Sequence, residues 1–219
     1  MPKKESKRAK KERAAAIVDA LKAIYPDATC ALNYEGDPWR LLVMGRLSAQ
    51  CTDARVNLVC RDLFRAYPTA EAMANADPDE VGKYIFSCGL YKTKARDLVG
   101  ASKMLIENYG GVLPDTMDAL LAFPGVGRKI ANLLLGDVYH RPAIVADTHC
   151  IRISRRLGLV DTADKAPEKV EKALAVLIAP EEQSDFCHRI VNFGREYCPA
   201  RGNDCAACPL SHLCHQNKV

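Results

Sequence analysis

Around residue 124 the chain stops one helical pattern and starts another within a few residues. Leu120 and Leu121 close the first apolar run, Phe123-Pro124-Gly125-Val126-Gly127 breaks it, and Arg128 opens a second run with Ile130, Leu133 and Leu134 on one face. Two helices joined this tightly must pack against each other. The two glycines are expected to supply positive φ and close backbone approach, and Val126 is expected to tuck between the helices. The turn then presents backbone N–H groups at the positive end of a helix dipole, where a phosphate oxygen can sit. A plain αα-hairpin with a glycine turn would show the same glycines. Pro124 before the turn and Arg128-Lys129 after it favour the phosphate site.

The rest of the chain has the same plan of short helices and sharp stops. Ile17, Leu21 and Ile24 have helical spacing, which ends near Pro26. Trp39, Leu41, Leu42, Met44 and Leu47 predict a strongly buried helix, and another is expected from about Thr52. Pro68, Pro78, Gly89, Gly110-Gly111 and Pro114 punctuate the stretch up to the hairpin. Alternating strand patterns are scarce, so the expected fold class is all-α. A length of 219 residues suits one large helical domain or two small ones.

Charge permits a nucleic-acid partner without demanding one. There are 31 Lys+Arg against 27 Asp+Glu, a net charge of +4. Residues 1–13 hold Lys3, Lys4, Lys7, Arg8, Lys10, Lys11 and Arg13, read as a solvated, partly frayed arm leading into the first helix. No apolar run approaches the ~20 residues of a membrane helix, and no apolar stretch follows the basic start as in a secretory signal. The expected location is cytoplasmic, nucleoid-associated if the chain binds DNA, and the expected state is a monomer.

Lys129 falls in the first turn of the second hairpin helix, where the dipole repels a cation and Arg128 adds like charge. Both effects favour the neutral amine that a nucleophile requires. Taken alone, such a lysine is more simply a phosphate ligand. Eighteen residues on, Val145-Ala146-Asp147-Thr148-His149 precedes an apolar helix from Ile151 to Leu157. Asp147 has the type and position of an N-cap, and a capped carboxylate is rigid and ionised. A fixed carboxylate can stabilise positive charge growing at C1′ of a deoxyribose as its base leaves. An amine can then trap C1′ as a Schiff base and permit β-elimination.

Ten cysteines in a reducing compartment point to metal ligands or buried small residues rather than disulfides. Cys198, Cys205, Cys208 and Cys214 have the spacing C-x6-C-x2-C-x5-C. Four thiols this close can hold a 4Fe–4S cluster or a zinc ion. Only Cys205 and Cys208 form the knuckle that structural zinc usually shows twice. Cys30, Cys51, Cys60, Cys88, Cys150 and Cys187 lack such a pattern and are expected to be buried.

These features occur in the order found in a known family. Four stretches carry the likeness: LLVMGRLSAQCTDARVN at 41–57, GLYKTKA at 89–95, LAFPGVGRKIAN at 121–132 with VADTH at 145–149, and the terminal cysteine spacing. Over roughly residues 15–215 the chain resembles the endonuclease III family of bifunctional base-excision glycosylases, within the helix–hairpin–helix superfamily. The resemblance implies two helical domains flanking a DNA-binding cleft. One is a six-helix barrel at 31–141 that contains the hairpin. The other joins residues 1–30 to residues 142–219 and holds a 4Fe–4S cluster on Cys198, Cys205, Cys208 and Cys214. It implies that Lys129 is the Schiff-base nucleophile and Asp147 the essential carboxylate. It further implies that Gln50 fills the space left by a flipped base and that Leu90 wedges into the duplex. Gly125, Val126, Gly127, Arg128, His149 and Arg201 are the implied further DNA contacts, and damaged double-stranded DNA is the implied partner.

Two positions depart from the family pattern. Ile130 stands where threonine is usual. The loop between the first two cluster cysteines has only Arg201 where several basic residues are usual, and the N-terminal arm is expected to compensate. Oxidised or saturated pyrimidines are the expected substrates. A monofunctional adenine or thymine/uracil mismatch glycosylase would lack Lys129, and a DNA-binding module without catalysis would have no use for Lys129, Asp147, Gln50 and Leu90 together.

Overall fold

In the computed structural model, which describes residues 5–161, 163 and 166–218, all regular structure among the described residues is helical. This is the all-α class that the residue pattern implies. The basic residues Lys3 and Lys4 lie outside the described residues. Numbered along the chain, the α-helices are α1 (Lys7–Ile24), α2 (Pro38–Leu47), α3 (Asp53–Ala66), α4 (Ala70–Ala74), α5 (Pro78–Ile85), α6 (Tyr91–Tyr109), α7 (Met117–Leu121), α8 (Arg128–Asp137), α9 (Thr148–Arg156), α10 (Pro167–Leu177) and α11 (Gln183–Glu196). The chain divides into two units, one of residues Cys30–Tyr139 and one that combines Met1–Thr29 with His140–Val219.

The central unit holds α2 to α8. Its helices start where short polar side chains can satisfy first-turn N–H groups: Asp37 caps α2, Thr52 caps α3, Thr69 caps α4 and Asp77 caps α5. Pro38 and Pro78 occupy the first turn, where no N–H is missed. Leu41, Leu47, Val56, Leu63, Leu98 and Leu134 fill its core. Inside it, Trp39 Nε1 donates to Ser102 Oγ at 2.9 Å. A 3-10 turn at Phe86–Cys88 joins α5 to α6.

The terminal unit is built from both ends of the chain. Ile17 and Leu21 of α1, Ile153 of α9, Val170 of α10, and Phe186, Ile190 and Phe193 of α11 are its core. Here the expected frayed arm is corrected. Ser6 caps α1, and helix runs from Lys7 onward. Arg13 is not a solvated cation: its guanidinium donates to the carbonyls of Leu157 (2.6 Å), Gly158 (3.2 Å) and Leu213 (3.1 Å) and pairs with Glu5. A side chain with five N–H donors finds in these carbonyls partners that local sequence cannot reveal.

Candidate active site and nucleic-acid interface

The hairpin turn is held by two of its own carbonyls. Phe123 accepts from the N–H of Val126 at 3.1 Å, and Gly127 accepts from Ile130 and Ala131, each at 3.0 Å. Val126 is buried, as expected. Only Gly125 uses left-handed space, with φ 75°; Gly127 has φ −103°. The expectation of two positive-φ glycines is therefore corrected. An added Cβ at Gly127 would meet nothing within 4 Å. Its bareness serves no neighbour inside the unit and leaves the backbone approachable from outside. Gly127 is the N-cap of α8, and no side chain caps that helix. The positive end of the dipole is thus presented by backbone alone.

Gly125 is required for a second reason. A Cβ there would lie 2.4 Å from Arg46 Nε and 2.8 Å from Asp97 Oδ2. Arg46 of α2 and Asp97 of α6 form a two-pronged ion pair directly beneath the turn, with Nε and Nη2 at 2.7 and 2.6 Å from Oδ2. Residue-by-residue reading of the sequence does not find this brace. Its only trace is one arginine in the otherwise apolar Leu41–Leu47 run. Lys129 lies exposed in the first turn of α8, while Ile130 is buried and faces Gly45 of α2, whose added Cβ would be 3.3 Å from Ile130 Cγ2. The unusual isoleucine is a packing residue.

Gln50 and Leu90 share an uncommon backbone state. Both are non-glycine residues with positive φ, 55° and 49°, and both are exposed, Leu90 by 61%. Such conformations cost free energy and persist only when the surroundings enforce them. The enforcing group is Lys94, which is fully buried. Its ammonium donates to the carbonyls of Leu47 (2.9 Å), Ala49 (2.7 Å) and Cys88 (2.6 Å). One cation therefore ties the segment before Gln50 to the segment before Leu90. Burial lowers the Lys94 pKa from its ordinary value.

In the terminal unit, Asp147 is the N-cap of α9, and its Oδ1 accepts the N–H of Cys150 at 2.7 Å. Its own N–H bonds to the Val145 carbonyl at 2.8 Å, which holds the backbone that carries the carboxylate. His149 is half-buried, with its Nδ1 3.2 Å from Arg152 Nη2. Gly194 lets α11 approach: a Cβ there would be 2.6 Å from His149 Nδ1.

The four terminal cysteines line one cavity together with Arg156 and Asn203. Arg156 Nη1 donates to Cys198 Sγ at 3.1 Å, and Asn203 Nδ2 donates to Cys205 Sγ at 3.0 Å. Burial, and then the other three sulfurs, raise the Cys208 thiol above its ordinary value, which a nearby backbone N–H offsets only partly. Among the described residues, no three His, Cys, Asp or Glu side chains are grouped to hold a single metal ion. Arg201 is exposed beside this segment. Of the six other cysteines, Cys60, Cys88, Cys150 and Cys187 are buried as expected, whereas Cys30 and Cys51 are only half-buried, a correction. Both lie at the edge of the helical core, in connections rather than on inward helix faces.

Comparison with known proteins is consistent across sequence and fold. Residues 43–180 match the model of the HhH-GPD superfamily base excision DNA repair proteins. Endonuclease III of Synechocystis sp. is 43% identical over 206 residues, which is 94% of this chain and 93% of that protein. Endonuclease III of Escherichia coli is 35% identical and covers 93% and 95%. A solved trapped endonuclease III–DNA covalent intermediate aligns with TM-score 0.89 at 41% identity, covering 95% of this chain and 97% of that one. A thermostable thymine-DNA glycosylase shares the fold (TM-score 0.86) at 20% identity. By sequence and by fold alike, the chain belongs to the HhH-GPD superfamily of base-excision DNA repair proteins and, within it, to the endonuclease III family.

Proposed function

We propose that this protein excises oxidised or saturated pyrimidines from duplex DNA and then nicks the abasic strand, with Lys129 as nucleophile and Asp147 as the fixed carboxylate. The observation that carries this reading is an exposed lysine in the first turn of a helix whose uncapped start follows a bare glycine turn. That turn holds a phosphate by backbone N–H groups, which positions DNA without reading bases. The Lys129 amine attacks C1′, the glycosidic bond breaks, and Asp147 stabilises positive charge on the sugar. The resulting imine acidifies the C2′ proton. Its loss expels the 3′ phosphate by β-elimination, and hydrolysis returns the lysine.

Gln50 and Leu90 fit the task of opening the duplex. Their exposure and enforced backbone suit side chains that fill the space of an extruded base and wedge between neighbours. Gly125, Val126, Gly127 and Arg128 form the phosphate clamp, and His149 and Arg201 are further contacts. The protein works in the cytoplasm, on the DNA of the nucleoid.

Cys198, Cys205, Cys208 and Cys214 would hold a 4Fe–4S cluster. Four sulfurs around one cavity, with N–H donors aimed at two of them, fit thiolate ligands of such a group. When bound, the cluster would join four points of the terminal segment through metal–thiolate bonds.

Borohydride trapping on a thymine-glycol duplex tests the chemistry. The wild-type protein is expected to give a covalent adduct, and Lys129→Gln none. An adduct that survives in Lys129→Gln refutes the assignment of the nucleophile. Base release without any adduct indicates a monofunctional glycosylase.

A further inference from the structure

Cys51 directly follows Gln50, and Cys88 precedes Gly89-Leu90. The Lys94 ammonium binds Ala49 and Cys88 carbonyls at once, so the two segments run side by side. The two thiols are within hydrogen-bonding reach of each other. Cys51 is half-buried and Cys88 is buried. Lys94 and Arg55 are the cations close enough to favour negative charge at Cys88. A partly exposed thiol beside a buried partner is the usual arrangement of a peroxide-reacting and a resolving cysteine.

We propose that Cys51 and Cys88 form a reversible disulfide that locks together the two segments carrying Gln50 and Leu90, so that oxidation switches off base extrusion. The inference rests on the proposed role of Gln50 and Leu90. The oxidant is a hydroperoxide. The Cys51 thiolate attacks its outer oxygen, the O–O bond breaks, an alcohol leaves, and Cys51 becomes a sulfenic acid. Cys88 sulfur then attacks Cys51 sulfur. The S–S bond forms, the S–O bond breaks, and water departs with the Cys88 proton. Two thiols are oxidised and one hydroperoxide is reduced. A dithiol reverses the lock by exchange.

The order of events is set by burial. It pushes the Cys88 thiol up to about 11 and leaves Cys51, the half-buried sulfur, as the one a hydroperoxide reaches first. A second thiol pair makes an internal comparison. Cys150 and Cys187 also share a hydrogen bond, but both are buried, so a hydroperoxide has no half-exposed sulfur to meet.

Bringing two sulfurs from hydrogen-bonding reach to a ~2.05 Å bond draws the segments together. Gln50 and Leu90, already in enforced backbone states, then lose the freedom to enter the duplex. The hairpin is not part of the lock, so binding to undamaged DNA is expected to persist.

The experiment uses the full chain with its cluster, treated with tert-butyl hydroperoxide while visible absorbance reports that the cluster is intact. Mass spectrometry of non-reduced peptides is expected to find Cys51 linked to Cys88, with Cys150 and Cys187 still thiols. Excision of thymine glycol is expected to fall about tenfold or more, since small displacements at a reacting site cost this much, and to recover with dithiothreitol. Cys51→Ser and, separately, Cys88→Ala are expected to excise normally when reduced and to form no link. No Cys51–Cys88 peptide, with trapping through Lys129 intact, overturns the disulfide and leaves the proposed function standing. A Cys51–Cys88 link with unchanged excision overturns the switch and counts against the roles of Gln50 and Leu90.

Discussion

Lys94 shows how much one side chain can organise. Lys92 and Lys94 stand in the same Tyr91-Lys92-Thr93-Lys94 stretch, yet Lys92 is exposed and Lys94 sealed. Their register on α6 decides this, and residue type does not reveal it. Replacing Lys94 by Met leaves two buried carbonyls and a part-buried one without their donor. A loss of about 2–4 kcal/mol is expected in urea unfolding. At Gly125, by contrast, the sequence is explicit, because glycine before a helix start announces a special backbone. Gly125→Ala meets both a positive φ and the Arg46 side chain. It should cost about 1–3 kcal/mol and weaken DNA binding, measurable by fluorescence anisotropy. Lys129→Gln is the opposite case. An exposed side chain can be removed at little cost, so the melting temperature should stay near wild type while lyase activity disappears.

At the level of elements, the helices are largely legible in the sequence. Periodic leucines, Asp and Thr caps and Pro or Gly stops mark α1, α2, α3, α7 and α8 in the chain itself. Their tertiary ties are not. The Arg46–Asp97 brace joins α2 and α6 under the turn before α8 through residues 51 positions apart. Truncating one partner leaves a part-buried charge unpaired. Arg46→Met and Asp97→Asn should each destabilise by about 2–4 kcal/mol, and the double variant by less than their sum. A double-mutant cycle by thermal unfolding measures this. The ordered N-terminal helix is hidden from sequence reading for the same reason, since the carbonyl partners of Arg13 lie more than 140 positions away. Lys7 and Lys11 remain exposed on α1. Replacing both by Ala is expected to flatten the salt dependence of DNA binding by up to about 0.9 for each phosphate no longer neutralised. An unchanged slope would show that the arm does not hold DNA.

On the scale of the molecule, the terminal unit is stitched by charges as well as by its core. Glu182 of the turn before α11 accepts from Lys22 of α1 and from Arg189, which is itself buried and also bonded to Asp185. Lys22 beside it holds the Glu182 carboxyl below the ordinary value of 4.5, and Arg13 does the same for Glu5. A folded pKa below the unfolded one means stability that is present above pH 4.5 and lost as the pH falls through the folded value. Each contribution is of order 1 kcal/mol or less for such part-exposed pairs. Acid titration of the melting temperature should therefore show a fall beginning below about pH 4.5, reduced in Glu182→Gln. On the proposed ligation of a 4Fe–4S cluster, Cys198→Ser is expected to remove the visible absorbance and lower the melting temperature.

That the two chain ends share a unit is not readable from periodicity; only the family resemblance implies it. It has a consequence for synthesis on the ribosome. The segment from Cys30 to Tyr139 is complete once it has emerged, and can fold while translation continues. The helix Lys7–Ile24 gains its partners on α11, and Arg13 its acceptor at Leu213, only after those later segments have been made. Helix α1 thus settles after the unit that follows it in the chain. A message cut short before Gln183 would release a chain in which Cys30–Tyr139 can fold while Lys7–Ile24 lacks its partners on α11.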